Sequence, residues 1–140
     1  MSRPTITHKD AILVPEDRRQ EFLPVLFGLP LLIVAENTVY SFMEWLSPGD
    51  YGGGFWDFYE HKGRPLFLAP TSRPRFRIAC ETNGYEGEVS SQAAGIIATL
   101  FTFSHLSFRH NSDLLVDGYH RLWNYSSDHP EAAEIFQAID

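Results

Sequence analysis

The chain has 140 residues, of which 44% are hydrophobic and 21% charged, values typical of one globular domain and too apolar for a disordered protein. Its one cysteine, Cys80, excludes an internal disulfide, and no apolar leader precedes Asp10, so we expect a protein of the reducing cytoplasm. Two uncharged stretches, Phe22–Ala35 and Val89–Phe108, are too short or too polar to predict membrane spans.

The net charge of −7 is unevenly distributed. Between His61 and Cys80 the sequence has five basic residues and no acidic residue, so this segment carries +5. The remainder has six basic and 18 acidic residues, a balance of −12. The segment predicts a cationic surface, whereas the rest of the chain opposes binding to a polyanion.

The first part of the chain predicts a polar arm followed by two helices. Residues 1–12 have no helical apolar period and predict a flexible N-terminal arm. Pro15 and the acidic residues after it favour a helix start, and apolar residues at helical spacing continue to a stop at Gly28. A second helix is predicted from about Pro30 to the Ser-Pro-Gly-Asp turn that ends at Asp50.

The middle of the chain changes to a two-residue period, which indicates strands. Three glycines at 52–54 precede the alternating segment Phe55–Glu60. Turn-forming residues separate three further strands, at Leu66–Ala69, Arg75–Cys80 and Tyr85–Val89. Because no connection is long enough for a helical crossover, we expect an antiparallel meander of about four strands.

Three helices are predicted after the strands. Ser90 is a suitable N-cap for a long helix, Ser112 or Asp113 opens the next, and a final helix starts after Asp128. The order of two helices, about four strands and three helices describes a single α+β domain over residues 13–140.

No segment has the residue spacing of a known catalytic motif, and the apolar neighbours of Cys80 are typical of an inert buried thiol. We therefore expect neither an enzyme nor a bound cofactor. One alternative is a metal-dependent enzyme, because Asp113, Asp117 and His120 share a helix face at i, i+4 and i+7. However, Arg121 follows Asp117 by four residues, which favours a solvated ion pair on this face.

The basic segment supplies a second alternative, a nucleic-acid-binding surface formed by Arg64, Arg73, Arg75 and Arg77. Phosphate binding depends on a net positive surface, which the rest of the chain opposes, so tight DNA binding is not expected. The reverse hypothesis, an acidic surface that mimics DNA, requires a dense row of carboxylates. The acidic residues here occur singly among apolar and basic ones, which disfavours mimicry.

Two segments are candidates for contact with a protein partner. One strand carries rings on both faces, from Phe55, Trp56, Phe58 and Tyr59. The other candidate is a polar turn and strand that contains Asn83, Tyr85, Glu86 and Glu88. If helices leave one face of the sheet open, either Trp56 and Phe58 or Phe55 and Tyr59 become exposed anchors. If helices cover both faces, no ring patch exists.

Several short segments resemble the ArdB/KlcA family of antirestriction proteins, and they occur in the family's order over residues 13–140. They are Ser47-Pro48, Tyr51, Gly53-Gly54-Phe55-Trp56, Phe58-Tyr59, Phe67-Leu68-Ala69-Pro70, Asn83-Gly84-Tyr85-Glu86-Gly87-Glu88, Ala93-Ala94-Gly95-Ile96, His105-Leu106-Ser107-Phe108, Tyr119-His120-Arg121-Leu122 and Asp128-His129-Pro130-Glu131-Ala132. Each segment is weak alone, whereas their common order makes the resemblance specific. Residues 71–82, which hold most of the basic cluster, match the family pattern least.

The resemblance implies a protein carried by plasmids or mobile islands that protects incoming plasmid or phage DNA. Such proteins relieve cleavage by type I restriction-modification systems while leaving methylation largely intact, and they are not DNA mimics. The implied partner is the type I restriction complex or an associated host factor. The family supplies no catalytic residue to transfer to this sequence, and the oligomeric state is not indicated.

Overall fold

The computed structural model describes residues 10–140, which form five α-helices and five β-strands. In chain order these are β1 (Ile12–Leu13), α1 (Arg19–Phe27), α2 (Leu32–Leu46), β2 (Trp56–His61), β3 (Arg64–Pro70), β4 (Arg75–Cys80), β5 (Tyr85–Ser90), α3 (Ser91–Arg109), α4 (Asp113–Ser126) and α5 (Ala132–Ile139). Most of the predicted N-terminal arm, residues 1–9, lies outside the described residues. The last residue of that arm, Ile12, pairs with Glu60 as part of β1.

The two N-terminal helices are joined by a sharp turn. Gly28 has φ of 87°, a conformation that glycine adopts at little cost, and short 3-10 turns at Glu16–Arg18 and Leu29–Leu31 precede α1 and α2. The two segments 16–27 and 29–46 meet at 95°. Within residues 10–140 no single helix is long and apolar enough to cross a bilayer, although this bent pair together satisfies the length and composition.

The four predicted strands are present, but they form two antiparallel hairpins in separate sheets instead of one continuous meander. Sheet one has the order β1-β2-β3, and sheet two consists of β4 and β5. The link between β3 and β4 explains the separation. The Thr71 amide donates to the Phe55 carbonyl, and the Pro74 carbonyl accepts from Ser91. These contacts hold the link against β2 and α3, so β4 leaves the edge of β3.

Helix α3 is the centre of the core. It packs against both sheets and against α2, α4 and α5, and all residues from Ala93 to Leu100 are buried. A Cβ added to Gly95 would collide with the Leu68 carbonyl and the Ala69 backbone, so the glycine permits close approach of α3 to β3. Thr99 accepts from the Leu68 amide at 3.4 Å. The predicted single-domain α+β class is confirmed.

Candidate functional site: a groove beside the loop 48–50

A groove with a volume of about 660 Å³ lies between the loop after α2 and the outer face of the β4–β5 hairpin. Its lining residues are Leu46, Pro48, Gly49, Asp50, Arg77, Ile78, Ala79, Glu86, Gly87 and Glu88. We call this the hairpin groove. It unites two segments that resemble the family pattern, the Ser-Pro loop and the strand after Asn83.

The loop is held in place by Asp50, whose side chain is only 4% exposed. Its carboxylate accepts from the Arg77 backbone amide at 2.9 Å and from the Arg77 guanidinium at 2.8 and 3.2 Å. Arg73 lies 3.5 Å from the same carboxylate. The hydrogen bonds from Arg77 hold the pKa of Asp50 far below its ordinary value. This link fixes the loop against the hairpin.

The floor of the groove is the outward face of an alternating strand. In β4, Phe76, Ile78 and Cys80 are buried and the residues between them are exposed, because only one face of this hairpin packs on the core. Arg77 pairs in register with Glu88, and Ala79 pairs with Glu86. The groove therefore presents a cation, two exposed carboxylates and a small apolar floor.

This arrangement is suited to binding polar groups of a protein. The Arg77 guanidinium remains 74% exposed while Asp50 holds it, so its position is fixed before a partner arrives. No serine, cysteine, histidine or lysine is among the residues that line the groove. The lining offers charge-assisted hydrogen bonds, without the serine or cysteine nucleophile and histidine base of a catalytic triad.

Of the four predicted ring anchors, Phe55 alone is largely exposed, at 58%. Trp56 and Phe58 are buried, so their prediction as exposed anchors is wrong. Helices α1 and α2 cover that face: Phe22 stacks on Phe58 with centroids 4.4 Å apart, and Tyr40 contacts Trp56 at 5.3 Å.

On the opposite face, the ring of Tyr59 is half-buried and stacks on Phe67 at 4.9 Å. Burial raises the pKa of the Tyr59 hydroxyl. The Arg19 guanidinium, which no sequence pattern singles out, lies over two rings, with its Cζ atom 4.4 Å from the Phe55 centroid and 4.0 Å from that of Phe58. This cation–π contact holds the exposed Phe55 ring against α1.

In the predicted partner segment from Asn83 to Glu88, two residues make contacts within the fold and two are exposed. The Asn83 amide donates to the carbonyls of Gln137, Ala138 and Asp140, and its Oδ1 accepts from the Tyr85 amide. Asn83 therefore connects the turn to the end of α5. The Tyr85 ring is half-buried over Gly87. The two exposed residues are Glu86 and Glu88, which lie along the hairpin groove.

The four arginines of the nucleic-acid alternative are each paired with an acidic residue. Arg73 and Arg77 share Asp50, and Arg75 lies 3.7 Å from Glu88. Arg64 donates to Asp117 at 3.2 Å. The structure therefore places three carboxylates from outside the basic segment against its four arginines, which reduces the cationic surface that phosphate binding needs.

The three residues of the metal alternative do not form a ligand set. Asp117 accepts from both Arg64 and Arg121, at 3.2 and 3.0 Å, and these arginines lower its pKa. Asp113 and His120 are exposed on α4. Among residues 10–140 no three His, Cys, Asp or Glu side chains are arranged to hold a metal ion. The spacing instead produces the other predicted arrangement, an exposed helix face with ion pairs between Asp117 and the two arginines.

Comparison with known proteins finds relatives that cover most of this chain. A family model described as antirestriction protein matches residues 49–140. The Escherichia coli antirestriction protein KlcA is 40% identical over 134 residues, covering 93% of this chain and 94% of that protein. The uncharacterized protein YafX of Escherichia coli K12 is 33% identical over 130 residues, with coverage of 91% and 85%.

The fold has a close match among solved structures. The matching chain has a TM-score of 0.82 at 40% identity, with 94% of each chain covered. It comes from work on KlcA and ArdB that describes a novel fold and antirestriction activity against type I DNA restriction systems in vivo but not in vitro. This chain therefore belongs to the antirestriction proteins, in the ArdB/KlcA family. The resemblance found in the sequence is confirmed.

Proposed function

We propose that this chain relieves DNA cleavage by type I restriction-modification systems in the cytoplasm, and that it acts by binding a protein. The observation that carries the proposal is 40% identity and a TM-score of 0.82, over 94% of both chains, to a structure from the KlcA and ArdB work. Similarity at this level extends over nearly the whole fold.

The charge arrangement supports binding without DNA mimicry. A mimic must reproduce about one negative charge per 1.7 Å of duplex axis. Here Asp50, Glu60 and Asp117 each pair with arginine, so these carboxylates are neutralised where a mimic needs them free. The same pairs occupy the arginines, which argues against tight DNA binding by the chain itself.

The hairpin groove is the surface we assign to the partner. Its fixed Arg77 and exposed Glu86 and Glu88 are suited to charged and polar groups on a protein surface. The activity described for KlcA and ArdB in vivo but not in vitro favours a host factor associated with the restriction complex. We therefore infer that purified restriction enzyme alone is not sufficient for inhibition.

Restriction in living cells provides the test. Unmodified phage are plated on a host with a type I system, with and without expression of this chain, and modified phage provide the control. We expect a higher plating efficiency for unmodified phage and no change for modified phage. Equal plating of unmodified phage with and without the chain would overturn the proposal.

A biochemical assay separates direct from assisted action. Cleavage of unmodified DNA by a purified type I enzyme is measured with the chain alone and then with extract from cells lacking that enzyme. We expect inhibition only when the extract is present. Inhibition by the chain alone would contradict the role of a host factor while leaving the relief of restriction intact.

A further inference from the structure

A second groove is lined by residues of α2 and α3. Its volume is about 600 Å³, and its lining residues are Val34, Asn37, Thr38, Ser41, Phe42, Trp45 and His105. We call it the helical groove. From Val34 to Trp45 it follows three turns of α2, a length of about 16 Å at 1.5 Å per residue.

One wall of the helical groove is an aromatic cluster. Phe42 stacks on Phe101 with centroids 5.4 Å apart and meets His105 edge-on at 5.7 Å. Trp45 contacts Phe101 edge-on at 6.0 Å. Since Trp45 meets Phe101 while Phe42 also reaches His105, the two helices run in opposite directions. The wall is therefore preorganised for a partner.

Apolar side chains continue from this groove onto the surface. Val34 is 48% exposed and the adjacent Ile33 is 67% exposed, at the start of α2. Phe108, at the end of α3 and three residues after His105, is 86% exposed. Exposed apolar side chains beside a groove are typical of an interface surface.

The charges at the groove distinguish one kind of occupant. Among the arginines of residues 10–140, Arg109 is the one that has neither an ion pair nor a ring contact. It follows His105 by four residues, on the same side of α3. Glu44 follows Ser41 by three residues on α2 and is exposed, with no ion pair to another described residue.

These two charges lie at opposite ends of the groove. Glu44 is near the end of α2, and Arg109 is the last residue of α3. Because the helices are antiparallel, Arg109 is beside the start of α2, which is the far end from Glu44. A two-fold axis halfway between the two residues brings Glu44 of one copy onto Arg109 of another, and the symmetry makes this pair twice.

We propose that the helical groove is the interface of a homodimer. The exposed Ile33, Val34 and Phe108 pack between the two copies, and the two Glu44–Arg109 pairs set their orientation. The phosphates of a nucleic acid would be repelled by Glu44, and a uniformly basic helix would be repelled by Arg109. A second copy satisfies both charges, which is why it fits this surface better than either.

Charge reversal tests the proposal directly. Sedimentation velocity is measured for the full chain, Glu44→Arg, Arg109→Glu and the double variant, at protein concentrations from about 1 to 500 µM. We expect a dimer in the unmodified chain and about tenfold weaker dimerisation in each single variant, because like charges then face each other. The double variant restores opposite charges and should return to the dimerisation of the unmodified chain.

Two outcomes would overturn the dimer. One is an unmodified chain that stays monomeric over the whole concentration range. The other is a double variant whose dimerisation is as weak as that of the single variants. Glu44 and Arg109 are exposed, so the far-ultraviolet circular dichroism spectrum of each variant is expected to match that of the unmodified chain and verifies folding independently of dimerisation.

Phage plating with the same variants shows whether relief of restriction depends on the dimer. A monomeric single variant that still relieves restriction leaves the proposed function standing and shows that the dimer is not required for it. Loss of relief in both single variants, with recovery in the double variant, would show that the dimer is the active form. In either case sedimentation alone decides whether the helical groove is the dimer interface.

Discussion

Asp50 and Arg77, 27 residues apart in sequence, are joined by three hydrogen bonds that include the Arg77 backbone amide. The pair connects the loop after α2 to the second sheet, which has no strand pairing with the first. It also neutralises one cation of the basic segment. One carboxylate thus determines both the shape of the hairpin groove and the charge that the groove presents.

The Asp50 link predicts a specific pH dependence of stability. Because the folded-state pKa of Asp50 lies below its unfolded value of about 3.9, its contribution is fully present above that value and is lost as the pH falls towards the folded pKa. Asp50→Asn should therefore lower the thermal midpoint at pH 7, and its deficit relative to the unmodified chain should shrink at pH 2 to 3.

The control for this experiment is Asp128→Asn, since Asp128 is exposed and makes no ion pair with another described residue. Its thermal midpoint should follow that of the unmodified chain at both pH values. An Asp50→Asn deficit that is equal at pH 7 and at low pH would contradict the ion-pair explanation.

Asn83→Ala should weaken the attachment of the C-terminal helix. The substitution removes the donors to the carbonyls of Gln137 and Ala138 and the acceptor for the Tyr85 amide. We expect a loss of about 1–2 kcal/mol in the free energy of unfolding, measured by urea denaturation. Asn124→Ala, at an exposed site within α4, should have little effect; equal losses in the two variants would rule out this role for Asn83.

The elements could be predicted because their cause is local. The strand Arg75–Cys80 alternates because one face is buried, and Ser90 accepts from the Ala93 amide as the expected N-cap of α3. Each feature depends on neighbouring residues that the sequence displays directly, so the types and the order of the elements followed from patterns over a few residues.

The site depended on contacts that no local pattern contains. Whether Trp56 or Phe55 is buried depends on which face α1 and α2 cover, and both alternatives have the same spacing in sequence. The ion pair between Arg77 and Asp50 could not be predicted either. The glycines at 52–54 allow many backbone conformations, so the sequence does not indicate where Asp50 lies relative to β4. The separation of the sheets likewise follows from hydrogen bonds of the link at Thr71 and Pro74.

Gly95→Ala tests the close packing of α3 on β3. Helix propensity alone would make alanine more stable than glycine here by about 1 kcal/mol. The added Cβ would instead meet the Leu68 carbonyl and the Ala69 backbone, which cannot move without disturbing β3. We expect a net loss of about 3 kcal/mol in urea denaturation. Gly52→Ala, with no atom within 4 Å of the new Cβ, should be nearly neutral; a stabilised Gly95→Ala would contradict the packing.

Ala79→Tyr tests whether the hairpin groove is the surface that relieves restriction. Ala79 is exposed on the floor of the groove, where tyrosine suits the strand and fills the space that a partner would occupy. We expect an unchanged thermal midpoint and a fall of about tenfold in the plating of unmodified phage, because the tyrosine weakens binding of the partner. The matched control is Ala133→Tyr, at an exposed site on α5, which should plate phage like the unmodified chain. If Ala79→Tyr, expressed at an equal level, relieved restriction as well as Ala133→Tyr does, the partner would have to bind elsewhere, and the exposed ring of Phe55 would become the next surface to substitute.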